Sequence, residues 1–286
     1  MSQEFNSSCA VQEHLGPTGI ENIFVDRVTD LRINQQLQQI TRIYHISYTP
    51  ETKEVSLFFW GCNFDCKGCL SKKETNNYLL RDNLRLFNEN PFRDAPSPEG
   101  FLTFEDVFNK LEGLDIEAVL FEGQEAGLDP LMPELARRFH EKYGSRNILC
   151  TNGYRLPTLN DIDWVQLSIK AIDDGLHRDY TGKSNEKVLR NFIQLSNSGM
   201  RLSVATVLIP GYIEKDEVEK VARFISCIDK DTPFTVLPYF KSGDNPWRRP
   251  TPDEMDLAAE KAKTYLNQVH AWHGNEELKY EVVRIV

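Results

Sequence analysis

The chain has 286 residues, of which 40% are hydrophobic and 27% charged, and its formal net charge is −10. This composition is typical of a globular protein that buries one full core, and the negative charge disfavours nucleic acids and anionic membranes as partners. Six cysteines do not form a disulfide framework in a chain of this length, and the N-terminus lacks the basic start and apolar run of a signal peptide. We therefore expect a cytoplasmic protein.

An N-terminal extension is placed at residues 1–50; it is polar and mixed up to about residue 36 and contains the first predicted strand near its end. Residues 43–48 form an aromatic, strand-like run, in which His45 is expected to be a packed strand residue rather than a catalyst. Residues 55–59 are short, apolar and rich in aromatic side chains, which indicates a buried strand. We expect these two strands to pair.

Three cysteines, Cys62, Cys66 and Cys69, follow the second strand with CxxxCxxC spacing. They leave the carboxyl end of a strand, where open α/β sheets and barrels carry their chemistry. Three thiolates can each bind one iron of a cubane cluster and leave the fourth iron without a protein ligand. A structural zinc site takes four ligands, usually in paired CxxC units, so zinc and coincidental core cysteines are the weaker alternatives.

A polar stretch at residues 71–100 comes next, and it is long for a loop in a compact domain. Its position beside the cysteines makes it a candidate lid or partner-docking segment. An incidental surface insertion is the equally weighted alternative.

From residue 103 onward the pattern alternates between helix and strand. Thr103 with Asp106, and Thr251 with Glu254, have the spacing of capping boxes that open helices. Gly144 follows a helical run and is expected to end it. Helices are predicted at residues 103–112, 130–143, 186–196, 216–228 and 251–268, and strands at residues 116–121, 147–150, 164–169, 202–209 and 234–237.

Repeated βα units imply parallel strands joined by right-handed crossovers. With the strand before the cysteines, six core strands are predicted. The predicted fold class is therefore α/β, a partial (βα)6 barrel at residues 51–250. A C-terminal helix and a further strand, within residues 251–286, are expected to pack on this barrel, with the strand at 278–286.

Each predicted strand after the cysteines ends in a short motif that, taken alone, is an ordinary turn or a solvated side chain. A glycine lets the backbone approach a ligand, and a carboxylate accepts hydrogen bonds from an ammonium group. In chain order the motifs are Gly123-Gln124-Glu125, Thr151-Asn152-Gly153, Ser168-Ile169-Lys170, Pro210-Gly211 and Pro238-Tyr239.

Together the cysteines and these motifs resemble the radical S-adenosylmethionine (SAM) enzymes, and among them the glycyl-radical-enzyme activating enzymes. The resemblance covers roughly residues 55–247 and keeps the order of the motifs. It implies a [4Fe-4S] cluster on the three cysteines and SAM chelated to the open iron. It further implies reductive cleavage of SAM to a 5'-deoxyadenosyl radical, which abstracts hydrogen from a protein or peptide. An electron donor such as flavodoxin or ferredoxin is the implied partner.

The resemblance also assigns residues to the cofactor site. Lys170 is the residue expected to take a catalytic role, by meeting the SAM carboxylate or a substrate anion. The cofactor-binding set that the resemblance implies is Phe64, Gly68, Gly123, Gln124, Glu125, Thr151, Asn152, Ser168, Lys170, Pro210 and Tyr239.

Several positions depart from the family pattern, including Ala205 in place of an arginine and Phe240 in place of a histidine. Gln124 replaces the second glycine of a Gly-Gly-Glu motif, and Gly68 stands where an aromatic residue usually precedes the third cysteine. Cys150 and Ser168 occupy places where activating enzymes of the pyruvate formate-lyase type carry aspartates that bind a cation beside SAM. The cation site of that type is therefore not expected here.

Two other functions compete with hydrogen abstraction from a protein or peptide. The first is the same cleavage chemistry applied to a small molecule, with residues 71–100 closing the site. The second is a non-catalytic iron–sulfur protein that transfers electrons, against which the open iron and the strand-end motifs argue.

Overall fold

Nine strands form one sheet in the computed structural model of the chain, which describes residues 39–72, 94–277 and 279–286. The strands are β1 (Ile43–Thr49), β2 (Glu54–Phe59), β3 (Ala118–Gly123), β4 (Arg146–Thr151), β5 (Trp164–Ser168), β6 (Leu202–Leu208), β7 (Phe234–Pro238), β8 (Val269–Ala271) and β9 (Val283–Arg284). Their spatial order is β8-β7-β6-β5-β4-β3-β2-β1-β9.

Neighbouring strands from β2 to β8 all pair in parallel, whereas β1 pairs antiparallel with both β2 and β9. The carboxyl ends of β2 to β7 therefore lie along one edge of the sheet. The predicted α/β class with a mostly parallel sheet is confirmed, as are the six core strands. The sheet also contains β8, which was not predicted because its three residues are too few to form a recognisable pattern.

Six helices are described, and local sequence explains how most of them begin or end. They are α1 (Phe104–Lys110), α2 (Met132–Tyr143), α3 (Asp174–Thr181), α4 (Glu186–Asn197), α5 (Lys215–Ser226) and α6 (Pro252–Lys263). Both predicted capping boxes, at Thr103 and Thr251, form in full, so that each threonine and its partner acid satisfy one another's backbone N–H. Gly144 ends α2 in the left-handed conformation, with φ at 63°, as predicted.

The apolar core lies between the helices and one face of the sheet. On α2 the buried residues Met132, Leu135, Ala136 and Phe139 form a stripe at helical spacing. Phe121 on β3 packs edge-on against Phe139, with ring centroids 6.2 Å apart. Burial of each such large side chain contributes roughly 1.5–3 kcal/mol. Buried and half-buried residues alternate along β5, whereas β2 and β6 are buried nearly throughout.

Three elements differ from the predicted ones. Helix α3 was not predicted; its start is capped by Asp173, which accepts a hydrogen bond from the Leu176 N–H at 2.8 Å. Helix α6 ends at Lys263 and not at 268, because the chain must already enter β8 at Val269; the Gln268 carbonyl just before it accepts from the Phe234 N–H at 2.9 Å. The last strand spans only Val283–Arg284, at the sheet edge beside β1.

His45 lies on β1 with 5% of its surface exposed, which confirms that it is a packed strand residue. The described residues from 40 onward form one compact unit. The N-terminal extension up to residue 38 and residues 73–93 of the candidate lid lie outside the described residues, so their roles and the proposed domain boundaries stay predictions. In the part of the chain that is described, no helix has both the length and the apolar character needed to cross a membrane.

Candidate active site

The three predicted cluster cysteines lie on one loop between the end of β2 and a short 3-10 turn, Leu70–Lys72. Cys62, Cys66 and Cys69 are half-buried free thiols. Burial raises the pKa of both Cys62 and Cys66, and Cys69 is close enough for its charge to raise both further. The loop therefore presents three thiols to one shared space.

The middle of this loop is bound to the end of α3. The Asp65 N–H donates to the Thr181 carbonyl and the Lys67 N–H to the Tyr180 carbonyl, both at 2.9 Å. The Lys72 ammonium closes the loop on itself by binding the Asp65 carboxylate at 2.7 Å. Helix α3, which the sequence pattern did not reveal, is thus an element that positions the cysteines.

Phe64, Gly68 and Tyr239 support the cysteine loop by packing. Phe64 is 3% exposed and meets the His177 ring edge-on, with centroids 5.5 Å apart. Gly68 has φ at +71°, and a Cβ there would lie 2.7 Å from the Tyr239 hydroxyl. Asn245 holds that hydroxyl by donating to it at 2.8 Å. The aromatic ring that usually precedes the third cysteine has no room here, because Tyr239 fills the space.

The Gly-Gln-Glu motif lies at the end of β3, directly beside β2. Gly123 has φ at +100°, and a Cβ there would lie 2.7 Å from the Phe59 nitrogen, so only glycine fits. The Gln124 side chain turns toward the cysteine loop: its Oε1 accepts from the Gly61 N–H at 3.0 Å, and its Nε2 donates to the Ser71 carbonyl at 3.4 Å.

Glu125 is the buried acid of the site, with 1% of its surface exposed. It accepts hydrogen bonds from the Thr151 hydroxyl at 2.7 Å and from the Asn152 N–H at 2.8 Å, and the Gly127 N–H is a further donor. Burial raises the pKa of Glu125 to about 7, although these bonds and the charge of Lys170 act to lower it. Thr151 and Asn152, at the end of β4, therefore fix the Glu125 carboxylate that follows β3.

Asn152 connects this acid to the cysteine loop. Its Nδ2 donates to the Asn63 Oδ1 at 2.7 Å and lies 3.6 Å from the Cys62 sulfur. The Phe64 N–H also donates to that sulfur, at 3.3 Å. Donors of this kind stabilise a thiolate, which is the form that binds metal. Asn63 was missed in the sequence, where it is one of several polar residues between the cysteines.

Lys170 is a half-buried cation at the end of β5. Its charge lowers the pKa of Cys66, which burial nevertheless raises to about 12. Within the ranges that the structure covers, the Lys170 ammonium has neither a hydrogen bond nor an ion pair, so it is available to an anion. The turn that follows is fixed by the buried Glu217, which accepts from the Ile172 and Asp173 N–H groups at 2.6 and 2.8 Å. No sequence signal marked Glu217.

Ser168 and Pro210 lie at the same edge of the sheet, at the end of β5 and after β6. Ser168 ends β5 opposite Ala205 on β6 and is half-buried. Pro210 is buried in the turn after β6, where the Ile209 N–H donates to the Ile213 carbonyl at 2.9 Å. Hydrogen bonds thus join the predicted residues that follow β2, β3 and β4, while Ile209 and Ile213 of the β6 turn belong to a hydrophobic cluster that includes Tyr239.

The donor set fits a cubane cluster. Among residues 39–72, 94–277 and 279–286, no three His, Cys, Asp or Glu side chains converge on a point that suits a single ion. A cubane does not need such convergence, because each thiolate binds a different iron. The half-buried thiols, the donors on Cys62 and the nearby Lys170 charge are all consistent with holding a cluster that carries anionic ligands.

Comparison with known proteins finds one family model and several relatives. The model described as the radical SAM superfamily matches residues 57–225, more than half of the chain. A Methanocaldococcus jannaschii protein named as a glycyl-radical enzyme activating enzyme is 28% identical over 236 residues, which cover 78% of this chain and 82% of that protein. The Staphylococcus aureus pyruvate formate-lyase-activating enzyme is 36% identical over 87 residues, covering 30% of this chain and 35% of that enzyme.

A solved structure shares the fold. QueE from Escherichia coli superposes with a TM-score of 0.50 at 14% identity, covering 82% of this chain and 94% of that one. At this level of identity the likeness concerns the fold alone. It agrees with the mostly parallel sheet described above.

Proposed function

Because the chain belongs to the radical SAM superfamily, we propose that it is a radical SAM enzyme of the activating-enzyme type that abstracts hydrogen from a protein or peptide. Cys62, Cys66 and Cys69 would hold a [4Fe-4S] cluster. When bound, the cluster supplies the electron that cleaves SAM, and SAM supplies the radical that takes the hydrogen atom. The observation that carries the proposal is the hydrogen-bonded path from the Cys62 loop through Asn152 to the buried Glu125.

Glu125 is suited to bind the ammonium group of SAM. A carboxylate has about four acceptor positions, and Thr151, Asn152 and Gly127 occupy three of them. One position is left for a further donor, and an ammonium group would bring both that donor and the compensating charge. Lys170 supplies a cation for the SAM carboxylate.

The substrate class rests on the relatives. The Methanocaldococcus jannaschii protein, which matches most of this chain, takes its name from the activation of glycyl-radical enzymes. We therefore favour a glycyl-radical protein or a peptide over a small molecule as the substrate, with flavodoxin or ferredoxin as electron donor. A glycyl-radical protein encoded beside this chain would support that choice.

The proposed function is tested by anaerobic reconstitution of the full chain with iron and sulfide, followed by reduction in the presence of SAM. We expect about four irons per chain and release of 5'-deoxyadenosine and methionine. We also expect SAM to change the electron paramagnetic resonance spectrum of the reduced cluster. An unchanged spectrum together with no 5'-deoxyadenosine would favour a non-catalytic iron–sulfur protein.

SAM affinity is expected to fall as the pH drops below 7. Burial raises the pKa of Glu125 to about 7, so the carboxyl gains a proton on acidification and then binds an ammonium group poorly. For one group with this pKa the dissociation constant rises about tenfold from pH 8 to pH 6. Equilibrium dialysis of cluster-loaded protein measures the profile. Glu125→Gln should give weak binding with a flat profile, and a flat wild-type profile would contradict this assignment.

SAM cleavage is expected to depend only weakly on potassium or sodium. Burial and nearby carboxylates raise the pKa of the Cys150 thiol well above its usual value, so Cys150 stays neutral, and Ser168 offers only a hydroxyl. An alkali ion beside SAM needs hard and preferably anionic oxygen ligands. The assay exchanges potassium or sodium for a bulky organic cation at fixed ionic strength. If the cleavage rate fell by about tenfold without alkali ions and one alkali ion restored it, other residues would have to provide the cation ligands.

A further inference from the structure

The Gln124 side chain links the two ends of the loop that carries the cysteines. Gly61 precedes Cys62, and Ser71 follows Cys69. The Gln124 Oε1 accepts from the Gly61 N–H at 3.0 Å, and its Nε2 donates to the Ser71 carbonyl at 3.4 Å. The Gln124 backbone N–H is bound as well, to the Phe59 carbonyl at 3.0 Å. Gln124, at the carboxyl end of β3, thus contacts the chain at three places: before the loop, at the start of the loop and at its end.

An amide is the side chain that suits both partners. Gly61 offers a donor and Ser71 an acceptor, and an amide has one group of each kind at the right separation. A carboxylate would keep the bond to Gly61 but would face the Ser71 carbonyl with another acceptor. A glycine, which the family motif has at this position, makes neither bond. The two contacts also fix the orientation of the amide, because a flipped amide would oppose like groups at both ends.

The remaining anchors of the loop lie elsewhere. Its middle is bound to α3 through Asp65 and Lys67, and the chain before it is held by the Trp60 N–H, which donates to the Arg42 carbonyl at 2.9 Å. Within the loop, the Lys72 ammonium joins its end to its middle by donating to the Phe64 carbonyl at 3.2 Å and to the Asp65 carboxylate at 2.7 Å. Gln124 joins the end at Ser71 to the start at Gly61. Fixing both ends limits how far the three thiols can spread apart.

We propose that Gln124 is a positioning residue that holds the cysteine loop in its cluster-binding shape, rather than a side chain that binds SAM. Both polar groups of the amide are engaged by the loop: the oxygen accepts from the Gly61 N–H, and the nitrogen uses one of its two N–H groups for the Ser71 carbonyl. The effect on the cluster rests on the proposed function, but the effect on the loop does not.

The test measures hydrogen–deuterium exchange of the backbone amides at residues 61–72 in the full chain without a bound cluster. Gln124→Leu removes both bonds at similar volume and is expected to speed exchange in this segment about tenfold. Gln124→Glu keeps the acceptor for Gly61 and should exchange at an intermediate rate. The matched control is Gln166→Leu, which alters a half-buried glutamine on β5 that contacts Cys150 and not the loop, and it should leave the segment unchanged.

A second measurement follows the same variants after reconstitution with iron and sulfide. Loss of iron to a chelator should be faster in Gln124→Leu than in the wild type and in Gln166→Leu. Should Gln124→Leu fail to fold by circular dichroism, Gln124→Asn takes its place. Asparagine keeps both polar groups of the amide, but its side chain is one methylene shorter and cannot reach Gly61 and Ser71 together. Wild-type exchange at residues 61–72 in a folded Gln124 variant would overturn the proposal. If the wild type takes up no cluster, the proposed function fails, while the exchange result still decides the role of Gln124.

Discussion

Replacement of Cys62, Cys66 and Cys69 together by alanine is expected to abolish iron binding and all SAM cleavage. The reason is that these are the three thiols of the cysteine loop, and the loop has no other thiol to bind iron. The loop itself should keep its place, because its anchors are backbone hydrogen bonds of Asp65 and Lys67 and the buried ring of Phe64. Iron analysis, a 5'-deoxyadenosine assay and circular dichroism measure the three parts of this expectation.

The matched control is Cys150→Ala, which removes a free thiol at the end of β4 and outside the loop. It should keep the iron content of the wild type. Retention of about four irons per chain in the triple variant, the content of one cubane, would disprove the assignment of the cluster ligands.

Glu125→Ala is expected to weaken SAM binding by about ten- to a hundredfold and to leave the iron content unchanged. A hydrogen bond to a charged group contributes roughly 1.5–3 kcal/mol, which corresponds to that range. The carboxylate is 1% exposed and already fixed by Thr151 and Asn152, so its loss removes an oriented acceptor from a site that water does not readily fill. Equilibrium dialysis of SAM against cluster-loaded protein gives the affinity.

Two further variants separate charge from structure. Glu125→Gln keeps the shape of the side chain and removes its charge, and it should weaken SAM binding to a similar degree. Glu122→Gln alters a neighbouring acid whose carboxylate accepts from Ser56 on the adjacent strand, and it should bind SAM as the wild type does. Unchanged affinity in both Glu125 variants would mean that Gly-Gln-Glu is an ordinary turn.

The amino-acid sequence by itself determined the class of the fold, and it supplied the three cysteines that we propose as cluster ligands. Alternating βα units predicted six parallel strands, and the capping boxes at Thr103 and Thr251 set where two helices begin. These features were readable because periodic burial and helix capping depend on residues a few positions apart. The CxxxCxxC spacing places three thiols on one strand-end loop for the same local reason. Short elements such as α3 and β8 carry too few residues for such a pattern.

Only the tertiary structure decided how the residues of the site act on one another. Gln124 was expected to bind the cofactor, yet its amide spans the two ends of the cysteine loop, 63 and 53 positions away. Helix α3 binds the middle of the same loop, and Asn152 reaches Asn63 from 89 positions away. The raised pKa of Glu125 arises from desolvation, which depends on everything packed around the carboxylate. Contacts and burial of this kind exist only once the strand ends are assembled, so no local pattern of residues encodes them.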